Sequence, residues 1–365
     1  VFIFFTYHFY YKYKPMYEQF SVRGGFREGF EQNRKSNEKT QLTLSERSER
    51  ENKLLPNYEY KEDIPINEKE PNPHNIIVNN SALVDEEDKY KESKKYIENI
   101  EKKLETGQFI YNEGNKIWTK FYCKIYDALN INRKRNDIEV EEIILSTKLK
   151  KDEKILDVGS GTGEHVNLFT QSGYDTIGID KSNEMIKLAS KKFPKSTFYN
   201  SDVMHANQFG KHVFGLVTMF FHTIYYIQDK TAAFHNINSW LKPGGYMVIH
   251  MANREKFDPI VKASDPLYKI NAQMYSKERL TRSFVKFNDF QYKSEFIPKK
   301  EDSRFVETMK DDNSERVIRN EHRYFMEKQI EIIEKAKSAG FILKGKIGLD
   351  QCGYKHQYLY VFKKQ

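Results

Sequence analysis

One stretch of eleven residues, Ile155–His165 (ILDVGSGTGEH), constrains the fold of this chain more than any other. It begins as a buried strand, because three of its first four residues are large and aliphatic or β-branched. Three glycines follow at alternate positions: Gly159, Gly161 and Gly163. Glycine has no Cβ atom, so the backbone can bend sharply there and a ligand can approach it closely. A strand, a glycine turn and a helix start together predict a nucleotide-type ligand site at the carboxyl end of a parallel sheet.

Two classes of ligand compete for such a loop. Dinucleotides favour G-x-G-x-x-G, with the pyrophosphate bound at the helix N-terminus. Here the spacing is G-x-G-x-G, and Glu164 occupies the place of the last glycine. Asp157 precedes the first glycine by two residues, so carboxylates flank the loop on both sides. These charges would repel a pyrophosphate, but they would not repel a ligand that carries an ammonium and a sulfonium.

The pattern D-x-G-x-G-x-G after a hydrophobic strand resembles the first motif of class I S-adenosylmethionine-dependent methyltransferases. This resemblance implies an α/β fold, namely a doubly wound, mostly parallel seven-stranded Rossmann-like sheet. It also implies S-adenosyl-L-methionine as the cofactor and a methyl transfer as the reaction. The loop residues expected to bind the cofactor are Asp157, Gly159, Ser160, Gly161 and Gly163.

An acidic residue ends the second predicted strand. This residue, Asp180, lies 21 positions after Gly159, where a carboxylate can accept hydrogen bonds from both ribose hydroxyls of an adenosine. An aspartate after a strand often caps the next helix, but here Ser182 is available as the cap. We therefore predict that Asp180 binds the ribose, with Lys181 beside it in the cofactor site.

The resemblance extends to the ends of the next strands. Asp202 and Val203 follow the third strand and match the positions that contact adenine in the family. Met219 and Phe220 end the fourth strand, towards which the methyl group is expected to point. The turn Leu241–Gly245 (LKPGG), before the fifth strand, is another recurring mark of these enzymes.

From Lys154 onward, strands and helices alternate as expected for a doubly wound sheet. The predicted strands are Ile155–Val158, Asp175–Ile179, Thr197–Tyr199, Val213–Met219 and Tyr246–Met251, and the predicted helices are Ile138–Leu149, His165–Ser172, Ser182–Lys192 and Lys230–Leu241. Residues 252–322 contain short aromatic and β-branched runs, which predict an inserted antiparallel lid on the substrate side. A helix over Tyr324–Ala339 and a hairpin of Phe341–Leu349 with His356–Phe362 complete the predicted domain.

The predicted organisation has three parts. Residues 1–20 are apolar and aromatic, but the apolar run is only about half the roughly 20 residues that a membrane span needs. Two interpretations remain open, the remnant of a membrane anchor, with membrane contact through residues 1–14, or an unstructured terminus. Residues 21–89 lack apolar periodicity and are predicted to be a disordered polar linker. Residues 90–365 form the methyltransferase domain, with a core over 137–251, the lid over 252–322 and the C-terminal helix and hairpin over 323–365.

A dense aromatic set occupies Ile110–Leu129, before the first core helix. In methyltransferases of this type, an N-terminal helical segment often lies over the cofactor and shapes the substrate pocket. By that resemblance, Tyr122 and Tyr126 are candidates to face the ligand. The alternative is that both tyrosines pack as ordinary core residues.

Candidates for the proton acceptor lie just after the fourth strand. His222 is the most base-like side chain there, because a histidine ordinarily titrates near neutral pH. Tyr225 and Tyr226 are the further catalytic candidates, and His322, near the end of the lid, is an additional one. A packing or shielding role is the alternative for His222.

Charge and composition leave the acceptor open. The net charge of +8 divides into −3 over residues 1–90 and +11 over residues 91–365, which permits an anionic partner without requiring one. No motif supports nucleic acid, and the two cysteines, Cys123 and Cys352, cannot form a cysteine-rich metal site. We predict no metal and a reducing, cytoplasmic location, with tethering to a membrane through the N-terminus as an open possibility. A small-molecule acceptor, methylated on nitrogen or oxygen, is the leading hypothesis. RNA or protein methylation and a non-catalytic cofactor-binding scaffold are the alternatives.

Overall fold

The computed structural model describes residues 109–257, 259, 281–286, 290–299, 302–311 and 316–365. The predicted segments 1–20 and 21–89 lie outside these residues, so the membrane and linker interpretations stay predictions. None of the helices in the described ranges has the length and apolarity that a membrane span requires.

Two β-sheets organise the described part of the chain. The strands are β1 Phe109–Glu113, β2 Lys154–Val158, β3 Asp175–Asp180, β4 Thr197–Asn200, β5 Phe214–Met219, β6 Leu241–Ala252, β7 Arg282–Lys286, β8 Phe290–Ile297, β9 Ser303–Asp311, β10 Val317–Tyr324, β11 Phe341–Gly348 and β12 Gln357–Lys364. The helices are α1 Lys120–Asn130, α2 Arg133–Thr147, α3 Glu164–Gln171, α4 Asn183–Lys192, the single turn α5 Thr223–Tyr226, α6 Lys230–Trp240 and α7 Gln329–Ser338.

The larger sheet has seven strands in the order β11-β12-β6-β5-β2-β3-β4. Strands β2 to β6 pair in parallel, and the hairpin β11–β12 adds two antiparallel strands beside β6. The doubly wound, mostly parallel sheet expected from the sequence is therefore confirmed. β5 is buried at all six positions, which is typical of a central parallel strand covered on both faces.

The smaller sheet has five strands in the order β1-β10-β9-β8-β7. β7 to β10 form an antiparallel meander within the chain segment that was predicted to be an inserted lid. β1 joins the edge of this sheet in parallel with β10, with Asn112 opposite Asn320. The side chains of this pair are buried and joined by a 3.0 Å hydrogen bond.

Three local predictions are wrong. The aromatic segment Ile110–Leu129, expected to be helical from the family resemblance, forms β1 at its first residues, and the helix begins only at Lys120. Tyr324 was placed in the C-terminal helix, yet it ends β10. The turn Leu241–Gly245 lies inside β6, where a register irregularity opposite Phe214 and a left-handed Gly244 (φ +73°) accommodate it. In each case, pairing with a partner that is distant in sequence decided the conformation.

Side-chain caps set the starts of several helices. Thr119 accepts from the backbone N–H of Tyr122 at the start of α1, and Ser182 accepts from that of Met185 at the start of α4. Asp229 does the same for α6 through Ala232. Such caps satisfy backbone donors that a helix leaves unpaired at its N-terminus, so polar residues at these places define where each helix begins.

Candidate cofactor and acceptor site

A cavity of about 1040 Å³ lies between the carboxyl ends of the parallel strands and the five-stranded lid sheet. Its walls come from the glycine loop, the ends of β3 and β4, the turn α5, the segment from β1 to α1, and strands β9 and β10. Parallel α/β sheets bind ligands at this edge, because the loops that follow the strands open a crevice there.

The glycine loop is held to the neighbouring strand by backbone hydrogen bonds. The N–H groups of Gly159 and Ser160 both donate to the carbonyl of Ile179, at 2.8 and 2.9 Å. Gly161 has φ +54°, and a Cβ atom built on it would have no heavy atom within 4 Å. A side chain there would thus point into open space on the cavity wall, where a ligand can approach the backbone. Gly163 differs, because its Cβ would lie 2.6 Å from the Phe198 ring.

Asp180 connects this loop to the next helix. One carboxylate oxygen accepts from the N–H of Gly161 at 2.9 Å, and the other accepts from the N–H of Ser182 at 2.8 Å. Burial raises the pKa of Asp180, and these two backbone hydrogen bonds oppose the shift. A carboxylate has about four acceptor directions, so two remain for a ligand in the cavity. Ser182 takes the capping role expected of it.

The next strand end supplies an ion pair. Lys181 Nζ lies 2.9 Å from Asp202 Oδ2, and the other carboxylate oxygen of Asp202 accepts from the N–H of Met204. Val203 is buried and lines the cavity beside them. The hydroxyl of Ser201, also on the wall, is buried and has no hydrogen-bond partner among the described residues.

The predicted cofactor and catalytic residues divide into two groups. Those on the cavity wall are Gly159, Gly161, Asp180, Lys181, Asp202, Val203, Tyr122, Tyr126, His222 and Tyr226. Those not on the wall are Asp157, Ser160, Gly163, Met219, Phe220 and Tyr225. Phe220, for example, stacks on His165 with ring centroids 3.6 Å apart, and Met219 is a buried core residue.

Asp157 is nearly inaccessible and accepts a 2.8 Å hydrogen bond from the Thr218 hydroxyl. Burial raises its pKa to about 7, although His165 and the Thr218 hydrogen bond act in the opposite direction. The repulsive charge that the sequence suggested at this position is thus reduced near neutral pH. Asp180 and Asp202 are the carboxyl groups that lie on the wall itself.

The turn α5 lies directly over the glycine loop. A Cβ atom on Gly159 would come within 2.5 Å of Thr223 Cγ2, so only glycine fits beneath this turn. Three residues later Tyr226 reaches the cavity, with 38% of its surface accessible. The neighbouring Tyr225 is fully buried, and its hydroxyl accepts from the backbone N–H of Ala252 at 2.8 Å.

Backbone contacts join α5 to the end of the lid. The N–H of Phe325 donates to the carbonyl of Tyr225 at 2.7 Å. Lys230 is fully buried, and its ammonium donates to the carbonyls of Ile227 and Phe325, each at 2.8 Å. These contacts fix the lid strand β10 next to the turn that carries Tyr226.

The lid side of the cavity is aromatic. Trp118 lies at the centre of this wall, and its ring centroid is between 5.7 and 6.1 Å from four other rings. Those rings belong to Tyr122, Tyr126, Tyr226 and His322. Aromatic faces at this spacing can hold an apolar body or a cationic group by cation–π contact.

A buried carboxylate lies within this aromatic wall. Glu307 on β9 is 1% exposed and accepts hydrogen bonds from the hydroxyls of Tyr122 and Tyr292. His322 Nε2 lies 2.7 Å from the Glu307 oxygen Oε2, and His322 Nδ1 lies 2.6 Å from the Tyr226 hydroxyl. The pKa of Tyr122 is raised well above its usual range by burial and by the charge of Glu307. Tyr122 therefore stays protonated and continues to donate to the carboxylate.

His222 lies on the same wall but in a different electrostatic setting. Burial, with repulsion from His250, Arg135 and His322, lowers its pKa to about 3. Its Nδ1 atom is buried and has no hydrogen-bond partner among the described residues. The near-neutral pKa that made His222 the leading base candidate is therefore absent, and at neutral pH the ring is an uncharged hydrogen-bonding group.

An ion cluster fastens α1 over the glycine loop. Lys192 at the end of α4 bonds to both Asp127 of α1 and Glu164 of α3. The Thr162 hydroxyl, within the loop, also donates to Asp127. This cluster keeps the helix that carries Tyr122 and Tyr126 against the glycine loop and α3.

Sequence reasoning missed Glu307, Trp118 and Thr223 as site residues. Glu307 carried one signal, a charged residue in the middle of a strand with buried neighbours. Its meaning depends on register: Glu307 pairs with Asn320, which makes it a diagonal neighbour of His322 on the same face. No group of three or more His, Cys, Asp and Glu side chains that could hold a metal occurs in the described part of the chain.

Fold and site together define this domain as a class I S-adenosylmethionine-dependent methyltransferase, whose cofactor is S-adenosylmethionine. The chain belongs to the family described as a methyltransferase domain, which matches residues 133–337, more than half of its length. Its fold is similar to that of an S-adenosylmethionine-dependent methyltransferase from Clostridium acetobutylicum, with a TM-score of 0.52 and 19% identity. That similarity covers 67% of this chain and 98% of the other.

Curated relatives share the central part of the sequence. A dTDP-3-amino-3,4,6-trideoxy-alpha-D-glucopyranose N,N-dimethyltransferase from Streptomyces venezuelae is 28% identical over 133 residues, covering 35% of this chain and 56% of the relative. Phosphoethanolamine N-methyltransferase 1 from Triticum aestivum is 32% identical over 114 residues, covering 30% of this chain and 22% of the relative. The chain thus spans about half, or less, of the length of these relatives.

Proposed function

We propose that this protein transfers a methyl group from S-adenosylmethionine to the nitrogen of a small-molecule amine. The observation that carries the proposal is the cavity that joins the glycine loop and Asp180 to an aromatic wall with a buried carboxylate. One half has the features of a cofactor site, and the other half suits an acceptor placed beside it.

The cofactor half fits S-adenosylmethionine by three features. Gly161 leaves open space where a Cβ would stand, so a ligand can lie against the loop. Asp180 keeps free acceptor directions for ribose hydroxyls, while the Lys181–Asp202 pair and Val203 lie where an adenine would be bound. The buried Ser201 hydroxyl, without a protein partner among the described residues, offers a further polar contact.

The acceptor half favours a small molecule with an amino group. The lid sheet and α1 border the cavity, whose volume of about 1040 Å³ is close to the upper limit of the size range of small-molecule sites. Glu307 places a negative charge behind aromatic faces, an arrangement that attracts a cation. Nitrogen, rather than oxygen, is favoured because relatives are named as N-methyltransferases of amino sugars and of phosphoethanolamine.

The protein's work in such a reaction is alignment and proton removal. S-adenosylmethionine supplies a methyl group on a positively charged sulfur that is already reactive. The chain's own residues hold the acceptor nitrogen in line with that methyl, exclude water and accept a proton. Tyr226 and His222 line the cavity at the turn that lies over the glycine loop, which supports them as the residues that contact the acceptor.

Transfer of a labelled methyl group provides the test. The full chain is incubated with methyl-labelled S-adenosylmethionine and, separately, phosphoethanolamine, an amino-sugar nucleotide, RNA and a small-molecule cell extract. Label on an amine supports the proposal. Label only on RNA, or protein binding to RNA that weakens steeply with salt, supports the alternative acceptor class instead. Tighter binding of NADH than of S-adenosylmethionine would contradict the cofactor assignment.

A further inference from the structure

We propose that Tyr226, His322 and Glu307 form a proton relay in which Tyr226 takes a proton from the acceptor nitrogen and His322 takes the proton of Tyr226. This inference rests on the proposed methyl transfer and adds to it the group that removes the proton. Tyr226 is the catalytic residue because it reaches the cavity. His322 and Glu307 act through it.

The relay is a continuous chain of short contacts. Tyr226 Oη lies 2.6 Å from His322 Nδ1, and His322 Nε2 lies 2.7 Å from Glu307 Oε2. His322 is 2% exposed and Glu307 is 1% exposed, whereas Tyr226 is 38% exposed. Only the first member of the chain therefore opens widely to the cavity. A hydroxyl, an imidazole and a carboxylate in this order repeat the logic by which a buried acid orients a histidine base.

Glu307 determines which nitrogen of His322 carries the proton. The carboxylate accepts from the hydroxyls of Tyr122 and Tyr292, so it acts as an acceptor towards every neighbour. His322 must then donate to it through Nε2–H, which leaves a lone pair on Nδ1 in the neutral ring. In the relay the Tyr226 hydroxyl donates to that lone pair. Its oxygen has two acceptor lone pairs, so one remains for the acceptor even when the hydrogen bond with Tyr324 uses the other.

The surroundings keep Tyr226 protonated before the reaction. Burial, followed by the neighbouring Tyr324, raises the pKa of Tyr226 well above its usual range. A free phenolate is therefore not the base at neutral pH. The groups that face His322 are Tyr122, Tyr226, Tyr324 and Glu307, with the rings of Trp118 and Phe305 completing its surroundings. Among these groups, Glu307 stabilises the imidazolium that forms when His322 accepts a proton.

The acceptor ammonium gives a proton to Tyr226 Oη while the Tyr226 hydroxyl proton passes to His322 Nδ1. The lone pair released on nitrogen then forms the bond to the methyl carbon, the carbon–sulfur bond breaks, and its electron pair stays on sulfur. His322 afterwards returns the proton through Tyr226 to water in the emptied cavity.

Position supports Tyr226 as the residue at the reacting atoms. The turn α5 begins against Gly159, where Thr223 touches the glycine loop, and Tyr226 follows three residues later. His222, at the start of the same turn, is a poor proton acceptor because its pKa is lowered to about 3. His322 reaches the site from the lid, so the relay is complete only when the lid sheet is docked on the core.

The pH dependence of kcat tests the relay, with phosphoethanolamine and an amino-sugar nucleotide as probe amines. We expect Tyr226→Phe to lower kcat about 100-fold at neutral pH, a typical contribution of a general base. The loss should shrink as the pH rises towards about 10.4, the ordinary pKa of an alkyl ammonium, because a growing fraction of the acceptor is then already deprotonated. Glu307→Gln should act similarly, because its amide N–H would donate to His322 Nε2 and leave the proton on Nδ1. A loss that is equal at every pH, or no loss, would overturn the relay.

Two controls separate catalysis from structure. Tyr225→Phe removes the adjacent hydroxyl, which bonds to the backbone of Ala252 and does not line the cavity. This variant should lose stability but keep the shape of the wild-type pH profile. Calorimetric binding of S-adenosylhomocysteine should be unchanged in Tyr226→Phe, so a loss of rate cannot be assigned to a collapsed cofactor site.

The tautomer of His322 gives a readout that needs no acceptor. Nitrogen-15 spectra of the full chain with S-adenosylhomocysteine are assigned by the signals lost in His322→Asn. We expect the proton on Nε2, and a shift of it to Nδ1 in Glu307→Gln. A wild-type ring protonated on Nδ1 would refute the relay even if no probe amine is methylated. Absence of methyl transfer with the expected tautomer would instead count against the proposed acceptor class.

Discussion

Single glycines of the cofactor loop have different roles, although they look alike in the motif. Gly159 is needed because Thr223 lies against it, and Gly163 is needed because the Phe198 ring packs on it. Gly161 alone borders open space with a left-handed backbone at φ +54°. A side chain at Gly159 or Gly163 would thus clash with neighbouring side chains, whereas a side chain at Gly161 would fill space that a ligand would occupy.

Gly161→Ala should separate ligand binding from stability. We expect a loss of about 1 kcal/mol in the free energy of unfolding, the usual cost of a left-handed non-glycine residue. The affinity for S-adenosylmethionine should fall at least about 10-fold, because the new methyl group would occupy ligand space. Gly163→Ala should show the reverse pattern, with the larger loss in stability. Thermal unfolding and calorimetry measure both quantities, and equal behaviour of the two variants would contradict this assignment.

Asp180→Ala should weaken binding of S-adenosylmethionine by about 10- to 100-fold, because hydrogen bonds to a charged group contribute about 1.5–3 kcal/mol each. The matched control is Asp175→Ala, at the start of the same strand, where an exposed aspartate pairs with Lys154. This control should bind like the wild type. Unchanged calorimetric affinity in Asp180→Ala would show that the ribose is bound elsewhere.

At the residue scale, the cofactor half could be predicted because its residues lie close to strand ends within one chain segment. Asp180, Asp202 and Val203 are all on the cavity wall, as the motif spacing suggested. The acceptor half could not be predicted in the same way. Glu307 and His322 become neighbours only through the register of β9 with β10. The polar residues 312–315 between those strands (DNSE) indicate a turn, but they do not specify the register.

At the scale of secondary-structure elements, one lysine side chain connects α1 to two other helices. Lys192 of α4 is the cation shared by Asp127 of α1 and Glu164 of α3. This ion cluster is about three-quarters buried, so its charges are screened less by solvent than a surface pair. The cluster links α1, which carries the aromatic wall residues, to α3, which follows the glycine loop. It thereby connects the two sides of the cavity.

Lys192→Met should loosen α1 while keeping the length of the side chain. Two carboxylates would then face each other without a cation, so we expect the free energy of unfolding to fall by about 1–3 kcal/mol. S-adenosylmethionine should also dissociate faster, by stopped-flow fluorescence of Trp118 on the cavity wall. Lys187→Met is the control, because Lys187 is exposed on the same helix and pairs only at the surface with Glu184. An unchanged dissociation rate in Lys192→Met would show that α1 does not retain the cofactor.

At the scale of the whole molecule, buried titratable groups make stability depend on pH. Burial lowers the pKa of His250 to about 4, since the charge of the nearby Glu139 is already balanced by Arg135. His222 is lowered further, to about 3. Below pH 6.5, the rings of both histidines bind protons in the unfolded chain but not in the folded chain. The free energy of unfolding therefore decreases as the pH decreases. Asp157, raised to about 7, acts in the opposite direction over the range from 7 to 3.8.

Asp180, whose pKa burial also raises, acts in the same direction as Asp157, so the net slope is a balance of four groups. His250 by itself should lower the free energy of unfolding from about pH 6.5 to about pH 4, by at most about 1.4 kcal/mol per pH unit. His250→Gln keeps a donor for the Gln357 side chain and removes one titrating ring. Its stability should change less between neutral and acid pH than that of the wild type. His235→Gln, at an exposed position on α6, should leave the slope unchanged. Urea unfolding at several pH values measures these slopes, and a steeper slope in His250→Gln would contradict the assignment.

The sequence by itself determined the sheet, the class of cofactor and the strand ends that are predicted to bind it. These features depend on short-range signals: buried strands, a glycine turn and acidic residues at fixed spacing. The tertiary structure decided which tyrosines reach the cavity, that burial leaves His222 a poor base, and that Glu307 and His322 meet behind Tyr226. The physical reason is that strand register and burial arise from contacts between residues far apart in the chain. Spacing within the glycine loop carries no information about either.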